Sequence, residues 1–192
     1  MNFNKKVLII VLILFIVFLL LYVFKVQNVI LKQIYPLKYT QWVEKYAKEY
    51  DVDDLLIYAI IKAESNFDEK ANSTSNAKGL MQVLETTADD IAKDLGNYNM
   101  GDYDLYDPET NIMFGTKYFS DLLKDYSGNE LLAMAAYNAG KGNIKRWIEN
   151  GTIKADGSDI ENIPYKETTT YVRKISRNYK IYKMLYEWNM WK

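Results

Sequence analysis

The chain opens on an unbroken apolar run and only later settles into a helical period. Residues 7–24, VLIIVLILFIVFLLLYVF, hold no charge and no polar break except the Tyr22 hydroxyl. At about 1.5 Å per residue they extend ~27 Å, close to the thickness of a bilayer's hydrocarbon core. A soluble core helix would show a second, polar face, and this run has none. Lys5 and Lys6 precede it as in a signal sequence. The apolar core is longer than that of a cleavable signal, and Lys25-Val26-Gln27-Asn28-Val29-Ile30 follows without a small-x-small cleavage site. The pattern predicts an uncleaved transmembrane signal anchor over 7–24, a tail over 1–6 and a short stalk over 25–38. Lys5 and Lys6 favour a cytoplasmic tail, while Lys25, Lys32 and Lys38 on the far side weigh against it.

From Tyr39 onward the apolar positions recur near every 3.6 residues. Trp42, Val43, Tyr46, Ala47 and Tyr50 form one stripe. Asp51 or Asp53 can cap a second helix carrying Leu55 to Ala63. Residues 68–79 are small and polar and predict a loop. Thr86 to Leu95 predicts a helix closed by Gly96. Asp107-Pro108 is a cap followed by proline in the first turn, with Ile112, Thr116, Phe119, Leu123 and Tyr126 turned inward. Further helices are predicted over Glu130–Asn138, Ile144–Ile148 and from Glu167 on, the last with Tyr171, Val172, Ile175, Tyr179, Tyr182 and Leu185 on one face. No alternating strand pattern and no repeat interrupts them. The fold class is therefore all-α, one domain over 39–192 preceded by one transmembrane helix, and long enough to bury a single core.

Composition narrows the chemistry. Cysteine and histidine are both absent, so no disulfide, Cys/His metal site, thiol nucleophile or Ser-His-Asp triad can be built. Acid–base work would fall to carboxylates, lysine or tyrosine. The 24 basic and 25 acidic residues are unevenly placed. Residues 1–38 hold five lysines and no acid, which leaves 19 basic and 25 acidic residues beyond them, a net of −6. An acidic domain without a basic stripe argues against nucleic acid as a partner.

Glu64 is the residue out of place. At roughly 100° per residue it falls between Ile57 and Ile60, on the apolar face near the helix end. Burial there would raise its pKa, and a carboxylic acid still protonated near neutral pH is what a general acid requires. The competing reading is a frayed helix end at Ser65-Asn66, with Glu64 in water.

Four motifs follow in order: Glu64-Ser65-Asn66-Phe67; Ala77-Lys78-Gly79-Leu80-Met81-Gln82; Ala136-Tyr137-Asn138-Ala139-Gly140; and Ile163-Pro164-Tyr165-Lys166-Glu167-Thr168 with Tyr171-Val172. Asp107-Pro108, Asn111-Ile112, Gly115 and Tyr118 stand between them. Together they resemble the catalytic domain of the soluble lytic murein transglycosylases, relatives of goose-type lysozyme, over about residues 40–188. The resemblance implies a lysozyme-like fold acting on peptidoglycan glycan strands, at the β-1,4 bond between N-acetylmuramic acid and N-acetylglucosamine, with no cofactor and no metal. It implies that Glu64 is the single acid/base, protonating the leaving oxygen and then taking the proton of the muramic acid C6 hydroxyl as a 1,6-anhydro ring closes. Ser73 and Gln82 would hydrogen-bond the sugar, Met81 would shape the cleft wall, and Tyr137 and Asn138 would hold the glycan opposite. Tyr171 would orient Glu64, and Glu167 would brace the cleft or contact substrate.

Without the resemblance these side chains have plainer readings: Ser73 in a turn, Met81 and Tyr137 in the core, Asn138 at a helix end, Tyr171 in packing, Glu167 as a first-turn carboxylate. Four positions depart from the family pattern: Leu84-Glu85 stands for a usual Met-Pro, Asn76 for a Gly and Lys141 for a Pro. Asn76 is tolerable because Asn accepts left-handed backbone angles. The same residues are compatible with a muramidase, in which water replaces the C6 hydroxyl, or with a glycan-binding module. The anchor would hold the domain at the cell membrane, single-pass, on the extracytoplasmic side.

Overall fold

A computed structural model describes residues 3–96 and 101–187. The expected tail therefore begins outside the described residues, as do 97–100 and 188–192 of the expected domain. The chain divides into two compact units, one of residues 1–36 with 184–192 and one of residues 37–183.

In the first unit, α1 runs from Phe3 to Ile34 without a break. Its stretch Ile9–Ile34 is long and apolar enough to cross a membrane. The helix thus continues ten residues past Phe24, where the apolar run ends, and takes in most of the expected stalk. Nothing in Lys25–Ile34 stops a helix: it holds neither Gly nor Pro, and Pro36 comes just after the end. The Tyr186 hydroxyl donates to the Tyr35 carbonyl at 2.7 Å, and the Lys32 ammonium lies 5.2 Å from the centre of the Tyr186 ring.

The second unit is α-helical. Its helices are α2 (Thr40–Tyr50), α3 (Asp54–Glu64), α4 (Glu85–Leu95), α5 (Pro108–Asp125), α6 (Glu130–Ala139), α7 (Lys141–Glu149) and α8 (Lys166–Tyr182). A 3-10 turn at Ile160–Asn162 precedes α8, and a π turn follows at Lys183–Glu187. The caps explain the boundaries. The Asp53 carboxylate accepts from the Leu55 and Leu56 amides at 2.8 and 3.2 Å and starts α3. Asp107 accepts from Thr110 N at 2.9 Å, one residue before the proline that opens α5. Gly96 closes α4 at φ 66°.

α3 is buried on every side, from Leu55 to Ile61 and again at Ala63, as expected of a central helix. α8 packs antiparallel along it, and its side chains mark the register. Tyr179 OH donates to the Asp53 carboxylate at 2.6 Å at the start of α3. The Tyr182 ring stacks on Tyr58, centroids 5.8 Å apart. Tyr171 and Lys174 reach the far end. α6 also packs on α8, α5 joins α6 to α2, and α4 leans on α5.

Three expectations shift. α7 is nine residues, Lys141–Glu149, rather than the short Ile144–Ile148 helix, because Gly140 at φ 83° lets the chain restart directly after α6. Leu123 and Tyr126 are half-exposed at the end of α5, where the helix runs past the core. Tyr179 is half-exposed too, its hydroxyl turned to Asp53.

Candidate active site

Glu64 is the last residue of α3, and the helix does not fray there. The Ser65 hydroxyl donates to the Leu80 carbonyl at 2.8 Å and accepts from the Phe67 amide at 3.1 Å. The Lys174 ammonium donates to the Ala63 carbonyl at 2.5 Å, a cation set on a helix C-terminus. The end of α3 is therefore fixed from two directions, by the following loop and by α8.

The Glu64 carboxyl is half-buried: solvent reaches it, but protein surrounds most of it. The Tyr171 hydroxyl donates to its Oε1 at 2.5 Å. Desolvation pushes the Glu64 pKa up to about 7, against the Tyr171 hydrogen bond and the Lys174 charge, which both favour the carboxylate. The phenols of Tyr171 and Tyr137 are raised well above their ordinary value, first by burial and then by the nearby Glu64 charge, so both stay protonated as donors. The carboxyl is thus poised to hold or release a proton near neutral pH.

The loop over residues 65–84 forms the wall beside it, built around two α5 residues, Asn111 and Gly115, whose supporting roles local sequence does not mark. Asn111, fully buried on α5, accepts from the Met81 amide through Oδ1 at 2.7 Å. It donates through Nδ2 to the Lys78 and Leu105 carbonyls, both at 2.8 Å. Gly115, one turn on, leaves room for the Met81 side chain; a Cβ there would lie 2.6 Å from the sulfur. Gly79 turns at φ 74°, and a Cβ there would meet the Leu105 carbonyl at 2.3 Å. Asn76 stands at φ 60°, in the left-handed region that its family counterpart Gly suggested. Asn111 and Gly115 appear in the sequence only as pieces of a motif, because their partners lie about thirty positions away. Lys174 carried no signal at all.

The other expected site residues are placed as follows. Met81 is fully buried, and its carbonyl accepts from Tyr137 OH at 2.8 Å. Tyr137 packs its ring against Tyr118 and Phe119, centroids 5.3 and 6.1 Å away. Gln82 takes φ 50°, a strained angle for a non-glycine, and its Nε2 donates to the Gly79 and Ala71 carbonyls at 2.9 and 3.2 Å. The Ser73 hydroxyl accepts from the Ser75 and Ala77 amides at 3.2 and 3.0 Å, so its oxygen organises the loop. Asn138 is exposed, its Oδ1 accepting from Thr168 Oγ1 at 2.8 Å. Glu167 is exposed on the first turn of α8, apart from this hydrogen-bonded set. The structure thus pairs Tyr171 with Glu64 and Tyr137 with Met81 by direct hydrogen bonds, sets both phenols where the Glu64 charge acts on them, and has Gln82 next to Met81 in the chain. Among the described residues no group of three or more Asp and Glu is placed to hold a metal ion. A cavity of about 740 Å³ lined by Asp125, Tyr126, Lys141, Lys145 and Glu149 contains none of these side chains. What distinguishes the site is a desolvated carboxyl, not the size of a hollow.

Fold and site together define an all-α, lysozyme-like domain with one desolvated carboxyl at the end of its central helix. The family model described as the transglycosylase SLT domain matches residues 41–160, and the chain belongs to that family. Among curated proteins it is 33% identical over 150 residues to the soluble lytic murein transglycosylase of Salmonella typhimurium, covering 76% of this chain and 23% of that protein. It is 38% identical over 129 residues to the membrane-bound lytic murein transglycosylase C of Yersinia pestis, covering 62% of this chain and 36% of the relative. A solved structure of an inactive glutamate-to-glutamine mutant of the lytic transglycosylase Slt from Pseudomonas aeruginosa superposes with a TM-score of 0.73 at 32% identity, over 80% of this chain and 25% of that one. The 70 kDa soluble lytic transglycosylase from Escherichia coli gives 0.71 at 30% identity, with the same coverage, and so does a complex of the 70 kDa soluble lytic transglycosylase with bulgecin A. The chain spans about a quarter of the length of the soluble relatives it matches.

Proposed function

We propose that this protein is a membrane-anchored lytic transglycosylase that cleaves the β-1,4 bond between N-acetylmuramic acid and N-acetylglucosamine in peptidoglycan. The observation that carries this reading is the Glu64 carboxyl, desolvated to a pKa of about 7 and held by Tyr171. The names of the relatives support the substrate class.

In this reading protonated Glu64 gives its proton to the leaving glycosidic oxygen. Tyr171 occupies Oε1, which leaves Oε2 to face the bond. As C1 gains oxocarbenium character, the now ionised Glu64 takes the proton of the muramic acid C6 hydroxyl. The C6 oxygen bonds to C1, the 1,6-anhydro ring closes, and no water is consumed. The carboxylate produced after the first step is the form that Tyr171 and Lys174 favour, so the residues that lower its pKa also stabilise the intermediate stage. A second carboxylate nucleophile is not required, in contrast to the usual paired-carboxylate glycosidases.

Gln82, through its side-chain carbonyl, and Ser73, through its hydroxyl hydrogen, are the groups that would meet the sugar from the loop. Tyr137 and Asn138 line the opposite side, Met81 sets the wall between, and Glu167 contacts substrate at the rim. α1 holds the domain to the cytoplasmic membrane as a single-pass anchor. Residues 1–6 lie on the cytoplasmic side and 39–192 on the outer side, close to the glycan they cut. Digestion of purified peptidoglycan by the full chain in detergent, with mass analysis of the products, tests the reading: anhydro ends support it, and absence of cleavage contradicts it.

A further inference from the structure

In the unit of residues 37–183, the large hydrophobic side chains that stand exposed among the described residues are Leu84, Leu131 and Tyr165. Leu84 and Leu131 are little more than one-third exposed, and Tyr165 is 52% exposed. An aromatic ring in water gains nothing for the fold, yet this one is held. Buried Trp147 of α7 meets it edge to face, ring centroids 4.9 Å apart at an interplanar angle of 89°. That contact braces the ring on one side, while about half of the residue stays open to solvent. Tyr165 also serves as the N-cap position of α8, its carbonyl accepting from the Thr169 amide at 3.3 Å, so its backbone is anchored as well.

Its place in the fold joins it to the site. Tyr165, Thr168 and Tyr171 form an i, i+3, i+6 row at the start of α8. Tyr171 ends at the Glu64 carboxyl. Thr168, in the middle, holds Asn138, and exposed Glu167 lies alongside. Tyr165 is therefore roughly 9 Å along the helix axis from Tyr171. A braced, half-exposed aromatic ring at that distance suits the apolar C–H face of a pyranose ring, with Asn138, held by Thr168 in the same row, offering a polar group for hydroxyl or acetamido groups.

We infer that Tyr165 is a stacking platform for a sugar ring of the glycan strand, distal to the bond that is cut. This rests on the glycan-cleaving reading above. The platform lengthens the footprint on the strand, so it acts on binding more than on the chemical step.

The test uses the full chain in detergent with linear glycan strands from purified peptidoglycan, freed of their peptides. Strand binding is measured in the Glu64→Gln background, and KM and kcat are measured in the parent. Tyr165→Ala is expected to weaken binding and raise KM about tenfold, with a smaller fall in kcat. Tyr165→Phe, which keeps the ring, is expected to change KM far less. Parent-like binding by Tyr165→Ala overturns the platform and leaves the enzyme reading intact. Equal loss in Ala and Phe variants also overturns it, because the hydroxyl and not the ring would then matter. A loss of kcat with unchanged KM assigns Tyr165 to structure instead. Failure of the Glu64→Gln protein to bind strands, with no cleavage by the parent, overturns both readings together.

Discussion

The Tyr171 hydroxyl donates to Glu64 Oε1 at 2.5 Å, across 107 positions of the chain. The same helix turn sends Lys174 to the Ala63 carbonyl. Burial raises the Glu64 pKa, and these two residues hold the rise to about 7. Neither effect alone places the group near neutrality: an exposed carboxyl would be fully ionised there, and one buried without partners would not ionise until higher pH.

Activity should therefore depend on the protonated form of Glu64 and fall as pH rises through about 7. Lys174→Met removes a charge that lowers this pKa, so the falling limb should move to higher pH. Lys174→Arg should leave it near the parent's. The other groups facing Glu64, Tyr171 on α8 and Tyr137 on α6, remain protonated over this range. A pH–rate profile of the three proteins on purified peptidoglycan checks this; a limb unmoved in Lys174→Met would separate Lys174 from the carboxyl.

The same shift carries a cost in stability. The folded pKa of Glu64 lies above its ordinary 4.5, so the folded state binds the extra proton between about 4.5 and 7. Stability from this group is fully present below 4.5 and is lost as pH rises through 7. Glu64→Gln keeps an acceptor for Tyr171 without the charge. It should melt higher than the parent at pH 8, by an amount corresponding to at most about 3 kcal/mol and less for the solvent contact Glu64 retains. The difference should vanish near pH 4.5. Thermal melts at the two pH values decide it.

Asn111→Ala should be costly although Asn111 is not a reacting group. It removes three hydrogen bonds and takes the Asn111 partner from the buried Met81 amide and Leu105 carbonyl, while the Lys78 carbonyl keeps the Val83 amide at 3.0 Å. A loss of about 2–4 kcal/mol is expected by chemical denaturation. Gly79→Ala should be worse, because a Cβ at 2.3 Å from the Leu105 carbonyl cannot be relieved by a side-chain move. Little folded protein is expected from it.

The helical architecture and the candidate acid were legible in the sequence because both follow from period. Glu64 showed as a charge between Ile57 and Ile60, Asp107 showed as a cap by local spacing, and of the two candidates Asp51 and Asp53 the structure uses Asp53. Asn111, Gly115 and Lys174 were not legible as supports, since the loop and helix-end groups they serve (Met81 and Lys78, Met81, and Ala63) lie 30 or more positions away and nothing local marks them. The loop residues were legible as a motif but not in conformation: that Gln82 turns to φ 50° and binds its own loop's carbonyls depends on the fold closing around it. The continuation of α1 to Ile34 was not legible, because apolarity stops at Phe24 while helix-forming sequence goes on.

The most direct test of the central claim is product mass. Purified peptidoglycan is digested with the full chain and with Glu64→Gln in detergent, and the released muropeptides are weighed. The expected result is products one water lighter than the reducing forms, with release lowered at least about 100-fold in Glu64→Gln while its fold is retained. Products with reducing ends would contradict the ring-closing step and make the enzyme a muramidase. Undiminished release by Glu64→Gln would contradict the assignment of Glu64 itself.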